Sequence, residues 1–169
     1  MTPASSPSLQ IRVADVADLP AVLRLYQQPD LDQGQALSLA AATQLFEKIQ
    51  QYPSYRLLVA ELSDQIVGTF TLLVMDNLMH QGTPVAIVEA VAVDPQCQGQ
   101  GIGRQMMQWA MAEAQRAGCY KLVLSSNQRR DRAHAFYDSL GFTRHGYSFC
   151  VALDDDAPAV PTAPASTSP

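Results

Sequence analysis

The residues with the strongest chemical signal stand between positions 85 and 104, VAIVEAVAVDPQCQGQGIGR. A nearly unbroken run of β-type apolar residues ends at Asp94-Pro95, glycines follow at alternate positions, Gly99, Gly101 and Gly103, and a helical pattern begins. The first-turn amides of a helix have no partner inside it, and the macrodipole adds partial positive charge there. A strand that feeds a glycine turn into such a helix N-terminus is therefore an anion-binding device, and phosphate fits it. Glu89 is the only charge in the strand. A carboxylate so placed either reaches a wet cleft or is desolvated, which makes it a stronger base.

Spacing narrows the phosphate ligand. The dinucleotide fingerprint G-x-G-x-x-G fails in both registers, because Arg104 or Met106 falls where the third glycine should be, and no G-x-x-x-x-G-K-[ST] occurs. What stands is Gln98-Gly99-Gln100-Gly101-Ile102-Gly103, a Q-x-x-G-x-G pattern just after Val93. Further on, Ala133-His134-Ala135-Phe136-Tyr137-Asp138-Ser139-Leu140-Gly141-Phe142 reads A-x-x-F-Y-x-x-x-G-F. In these two motifs, and in the V-x-P strand end at Val93-Asp94-Pro95, the chain resembles the GNAT superfamily of N-acetyltransferases, whose coenzyme A pyrophosphate loop has the first form.

The resemblance implies an acetyl-CoA-dependent enzyme that moves an acetyl group to the primary amine of a small molecule by direct attack in a ternary complex, without a metal. Tyr137 is the family-matched general acid for the departing thiolate. A glutamate at the position of Glu89 removes the amine proton through a water in many relatives; a carboxylate that binds a cationic acceptor, or that meets solvent at the strand edge, is the open alternative. The loop amides of Gln98, Gly99, Gln100, Gly101, Ile102 and Gly103, with Arg104, would hold the pyrophosphate. The main chain of Val91 and Val93 would pair the pantetheine arm as an added strand, amides around Val91 would polarise the acetyl carbonyl at a bulge, and Phe136 belongs to the cofactor side. Asn127 and Arg132 are further cofactor contacts or ordinary capping and surface residues.

Within the superfamily, Gly118-Cys119-Tyr120-Lys121 before three apolar residues is similar to the glucosamine-6-phosphate N-acetyltransferase branch and related small-amine enzymes. Ala90 and Ser125 stand where that branch carries acidic residues, so the acceptor is left unassigned. An acyl-CoA-sensing module would keep the glycine loop without needing Glu89 or Tyr137, and a peptide or protein N-terminal acetyltransferase would differ in its acceptor site; both stay open.

These residues need a framework, and the rest of the chain supplies one. At 169 residues it is one domain, able to bury roughly 70% of its unfolded surface. The three cysteines, Cys97, Cys119 and Cys150, are widely spaced and lack C-x-x-C, which indicates neither a disulfide framework nor a zinc site and suits a reducing cytoplasm. No run approaches a membrane span or a signal peptide, so no membrane partner is expected. A net charge of -5 leaves no basic face for nucleic acid. A homodimer is compatible with the family's habit of pairing.

Periodicity predicts a strand over 9–13, a helix capped by Asp18 with Leu19, Val22, Leu23 and Tyr26 inward, and a second helix over 37–52 with Leu37, Ala41, Leu45, Phe46 and Ile49 inward. A hairpin of 56–62 and 66–75 leads to the strand 85–93, making a meander. His80, in the loop 76–84, reads as a solvated histidine. The helix 101–117, with Ile102, Met106, Trp109, Ala110 and Ala114 inward, returns the chain by a right-handed crossover to a parallel strand over 120–124. A last helix covers 130–140, with the cluster Arg129 to Arg132 at its solvated start, and Gly141 closes it. The expected fold is α/β of the α+β type: a GNAT-like domain over 9–153, with a mixed, mostly antiparallel twisted sheet of six or seven strands, the last beyond Thr143, split at its central parallel pair and flanked by about four helices. Residues 1–8 and the proline-rich tail 154–169 read as disordered.

Overall fold

The computed structural model describes residues 8–32 and 34–151. Its elements are β1 (Gln10–Val13), α1 (Leu19–Tyr26), the single turn α2 (Pro29–Asp32), α3 (Leu39–Ile49), β2 (Tyr55–Leu62), β3 (Gln65–Met75), β4 (Val85–Val93), α4 (Ile102–Arg116), β5 (Leu122–Leu124) and α5 (Asp131–Asp138). They form one α+β domain. The sheet runs β1-β2-β3-β4-β5, antiparallel throughout except for the parallel pair β4-β5, so the expected meander and crossover are both present. The terminal segments read as disordered, 1–8 and 154–169, lie outside the described residues apart from Ser8.

Alternation along β2 builds both faces. Leu58 and Ala60 join Phe70, Leu72, Val88 and the α4 residues Ile102, Met106, Met107 and Ala110 in one core, while Leu57 and Val59 join Leu19, Val22, Leu25 and Phe46 in the other. A strand buried on both sides reads as a continuous apolar run, which is why these segments show no polar alternation. Gly68 lets α4 settle on β3, since a Cβ there would stand 2.7 Å from Met106 Sδ. The two-residue turn Ser63-Asp64 has φ of 50° and 61°, both in the left-handed region that the twist of a tight hairpin demands.

Several expectations are corrected. The sheet has five strands rather than six or seven: residues 143–151 form no strand, and Tyr147 and Phe149 are each 92% exposed. Alternation gives a segment strand propensity, but pairing needs a sheet edge to meet it. Asp18 does not cap α1. Its carboxylate, 7% exposed, accepts from Arg12 at 2.7 and 2.9 Å and from the Asp15 amide at 2.8 Å, while Asp15 caps the preceding turn through Ala17. The longer helices also rotate: α3, capped by Ser38, buries Ala42 and Phe46 and leaves Leu37 and Leu45 exposed, α1 buries Leu25, and α4 buries Met107 with Trp109 only partly covered. His80 is exposed, as expected, with its ring against Tyr120 at 4.1 Å.

No helix among the described residues is long and apolar enough to cross a membrane. The three cysteines are free.

Candidate active site

β4 changes character halfway along. From Ala86 to Val88 it pairs β3 on one side and β5 on the other, but the parallel pairing ends at Val88 opposite Leu124. Immediately beyond, the register with β3 slips: Glu89 faces Thr71 and Ala92 faces Thr69, so Ala90 and Val91 together oppose Phe70. This is a β-bulge, and it holds Ala90 at φ 52°, a left-handed conformation costing roughly 1–2 kcal/mol for a non-glycine residue. The Thr71 hydroxyl donates to the Glu89 carbonyl at 3.2 Å and pins the bulge. The bulge expected around Val91 is therefore centred on Ala90 and Val91.

Where β4 and β5 part, a cleft of about 80 Å³ opens. Val88, Glu89, Ala90 and Val91 line it from β4, Leu124, Ser125 and Ser126 from the end of β5, and Arg130, Tyr137 and Leu31 complete the lining. Glu89 is exposed to the cleft, which realises the wet alternative for that carboxylate. Tyr137 is half-buried, between the rings of Phe136 at 5.1 Å and Phe142 at 5.6 Å. Burial pushes its phenol above the usual tyrosine value, with the positive charge of Arg130 pulling the other way. A phenol that keeps its proton at neutral pH has one to give. Backbone bonds from Gly141 to Asp138 and from Phe142 to Tyr137 close the helix as a Schellman cap, with Gly141 at φ 87°, and fold Phe142 onto Tyr137.

The glycine loop is braced from within. Asp94 accepts from the Gln96 amide at 2.9 Å, Gln98 donates to the Val93 carbonyl at 3.3 Å, and Gln100 donates to the Gln96 carbonyl at 3.2 Å. Gly99 and Gly101 are left-handed, at φ 78° and 82°, and Gly101 opens α4 with no side chain capping its first amides. Gly103 also serves packing. A Cβ there would lie 3.2 Å from the Phe136 ring, so its bareness lets α5 approach α4. Beside it, Arg104 donates to Ser139 Oγ at 3.2 Å. Ile102 is a core residue.

The open edge of β4 lies above the cleft. Asp94 donates to Val67 at 2.8 Å, so ladder alternation turns Ala92 toward β3 and the main chain of Val91 and Val93 toward the free edge. The Val93 carbonyl accepts from Gln28 at 3.2 Å as well as from Gln98. Asn127 performs local work, accepting from the Arg129 amide at 2.9 Å through its side chain and from His134 at 2.9 Å through its carbonyl. Arg132 is exposed on the first turn of α5. Arg130, read from sequence as part of a solvated helix start, instead lines the cleft. Ser126 and Leu31, which no motif marks, line it too. The available signal for Ser126 was its place just past the apolar end of a strand parallel to β4, since crevices in such sheets lie beyond the carboxyl ends of the strands.

A broader groove of about 880 Å³ runs beside α1. Five of its charged residues pair with one another, Arg12 with Asp18 and Glu61, and Arg24 with Asp94 at 3.9 Å. It contains neither Glu89 nor Tyr137, both of which line the smaller cleft.

The acetyltransferase (GNAT) family profile matches residues 19–142. The glucosamine 6-phosphate N-acetyltransferase of Trypanosoma brucei brucei is 32% identical over 81 residues, 48% of this chain and 53% of that protein. The aminoalkylphosphonate N-acetyltransferase of Salmonella typhimurium is 32% identical over 101 residues, 60% of this chain and 65% of that protein. The chain thus spans between half and two thirds of the length of these relatives. Among solved structures, a proposed acetyltransferase of Agrobacterium tumefaciens superposes with a TM-score of 0.79 at 31% identity, covering 85% of this chain and 99% of that one. The matched span runs from α1 through the bulged strand and the glycine loop to the end of α5, and this chain belongs to the GNAT acetyltransferase family.

Proposed function

We propose that this chain is an acetyl-CoA-dependent N-acetyltransferase acting on a small primary amine. The observation that carries the reading is the convergence of Glu89 and Tyr137 on one cleft that opens where β4 and β5 separate. The uncapped first amides of α4, with the turn at Gly99 and Gly101 and with Arg104 alongside, are placed to hold the pyrophosphate. The pantetheine arm would run along the free edge of β4 and meet the main chain of Val91, since the Val93 carbonyl already accepts two side-chain amides.

The transfer is then a direct displacement. The amine lone pair attacks the acetyl carbonyl carbon, a C–N bond forms and the C–S bond breaks. Glu89 takes the amine proton, directly or through a water, and passes it to solvent. Tyr137 gives its proton to the departing sulfur and is reprotonated from solvent. The main-chain amide at Val91 stabilises the oxyanion between these events.

The names of two relatives point to compact amines that carry a phosphate or phosphonate, and Arg130 is the cation at the cleft wall for such a group. Release of free thiol from acetyl-CoA, measured across amino-sugar phosphates, aminoalkylphosphonates, polyamines, amino acids and peptides, tests the reading. Turnover on a small amine is expected. Coenzyme binding with no turnover on any amine would favour an acyl-CoA sensor, and a preference for peptides would reassign the acceptor.

A further inference from the structure

Among the described residues, two buried side-chain polar atoms lack any hydrogen-bond partner: Asn77 Oδ1, in the loop before β4, and Ser126 Oγ. The asparagine is at least anchored, since its amide donates to the Thr83 carbonyl at 2.7 Å. The serine hydroxyl has nothing, and Ser126 is one of the residues lining the cleft that holds Glu89 and Tyr137. Its neighbours make the contrast: Ser125 is exposed, and the Asn127 side chain is committed to the Arg129 amide. A solvent-excluded hydroxyl with no partner destabilises a fold, so its persistence at a cleft wall calls for a ligand atom.

The size and chemistry of the cleft say which atom. About 80 Å³ is several times the roughly 10–15 Å³ that one water needs, so a group of a few heavy atoms such as an acetyl thioester can enter it. Of the groups that must meet there, the amine needs a base, which is the role of Glu89, and the sulfur needs an acid, which is the role of Tyr137. The carbonyl oxygen needs donors that are already in place when negative charge develops on it. Val91 offers its amide from the β4 side, and Ser126, two residues past the last paired residue of β5, lines the same cleft from the β5 side.

Building on the acetyltransferase reading, we propose that the Ser126 hydroxyl donates a hydrogen bond to the acetyl carbonyl oxygen of bound acetyl-CoA, a second oxyanion donor opposite the bulged edge of β4. No proton leaves the serine; it only stabilises the oxygen. Coenzyme A without the acetyl group gains nothing from it.

The test uses the whole chain, wild type and as S126A and S126T, with acetyl-CoA labelled with carbon-13 at the carbonyl. Infrared spectra of the bound thioester should show a carbonyl stretch below that of the free ligand in wild type, a return toward the free value in S126A, and recovery in S126T. Calorimetry should find acetyl-CoA affinity reduced in S126A with coenzyme A affinity unchanged, and the unliganded variant should melt no lower than wild type. Turnover on any amine that wild type accepts should fall roughly 100-fold in S126A. An identical carbonyl stretch in wild type and S126A would overturn the assignment while leaving the acetyltransferase reading intact. Failure of wild type to bind either coenzyme form would instead remove that reading, and this proposal with it.

Discussion

The two halves of β4 are made of similar residues and live in opposite circumstances. Ala86 to Val88 are held by neighbours on both sides, and Ala86 and Val88 are fully buried; Glu89 to Val93 keep one neighbour, β3, and turn their other edge to a cleft. The lower half is framework, and the upper half gives up a pairing to leave main-chain groups available. The bulge at Ala90 is the joint between them. What the contrast teaches is that a site can be made from a strand simply by ending its partner early, here after the three residues of β5.

The contrast can be broken from the cleft side first. Tyr137→Phe should lower kcat by roughly 100- to 10,000-fold with little change in melting temperature, because a placed proton donor is worth that much and the ring remains; steady-state kinetics and a thermal melt check both halves. Since burial raises the phenol, the sign follows: the proton is held past the usual tyrosine value of about 10, so the wild-type alkaline limb should lie above that value. An unchanged kcat would withdraw the acid role. Glu89→Gln should cost about 100-fold in kcat/KM near neutral pH. Raising the pH, which frees the amine of its proton without help, should restore part of the loss; a loss that is the same at every pH would make Glu89 a binding group for a cationic acceptor.

The lower half should answer in stability instead. Val85→Ala removes a buried side chain at the start of β4, away from the cleft lining, and denaturant unfolding should show a loss of about 2 kcal/mol with kcat nearly unchanged where the protein stays folded. The joint should give the smallest effect and of opposite sign. Ala90→Gly relieves a left-handed residue and should be neutral or stabilising by up to about 1 kcal/mol, with the flexibility of glycine in the unfolded chain offsetting part of the gain. A destabilised Ala90→Gly would show that the alanine methyl itself packs at the bulge.

The same contrast explains what could be read from the chain alone. The strand, the glycine turn and α4 were legible because each is specified locally: an apolar run, glycines where φ must be positive, and a helical stripe. Gly141 and Phe142 declared the end of α5 for the same reason. The cleft wall was less legible, since Ser126 and Arg130 take their meaning from β4 across the gap, and nothing in their own neighbourhood marks that proximity. Asp18 looked like a cap because of its position before Leu19, but the pull of Arg12 from β1 outweighs a helix amide. Gly103 was legible as a loop glycine, but its packing role was not, because its contact is with an aromatic ring more than 30 positions later. Residues 143–151 show the limit in reverse, with strand-like alternation and no pairing in the described structure.

The bare Cα of residue 103 has a mechanical outcome. It seats the Phe136 ring against the very turn placed to grip phosphate, and Phe136 adjoins Tyr137 in the chain, while Arg104 reaches Ser139 just beyond. On the proposed acetyltransferase reading, handle and proton donor would then move together: the depth at which the nucleotide end docks would set how far the phenol reaches toward the sulfur at the other end.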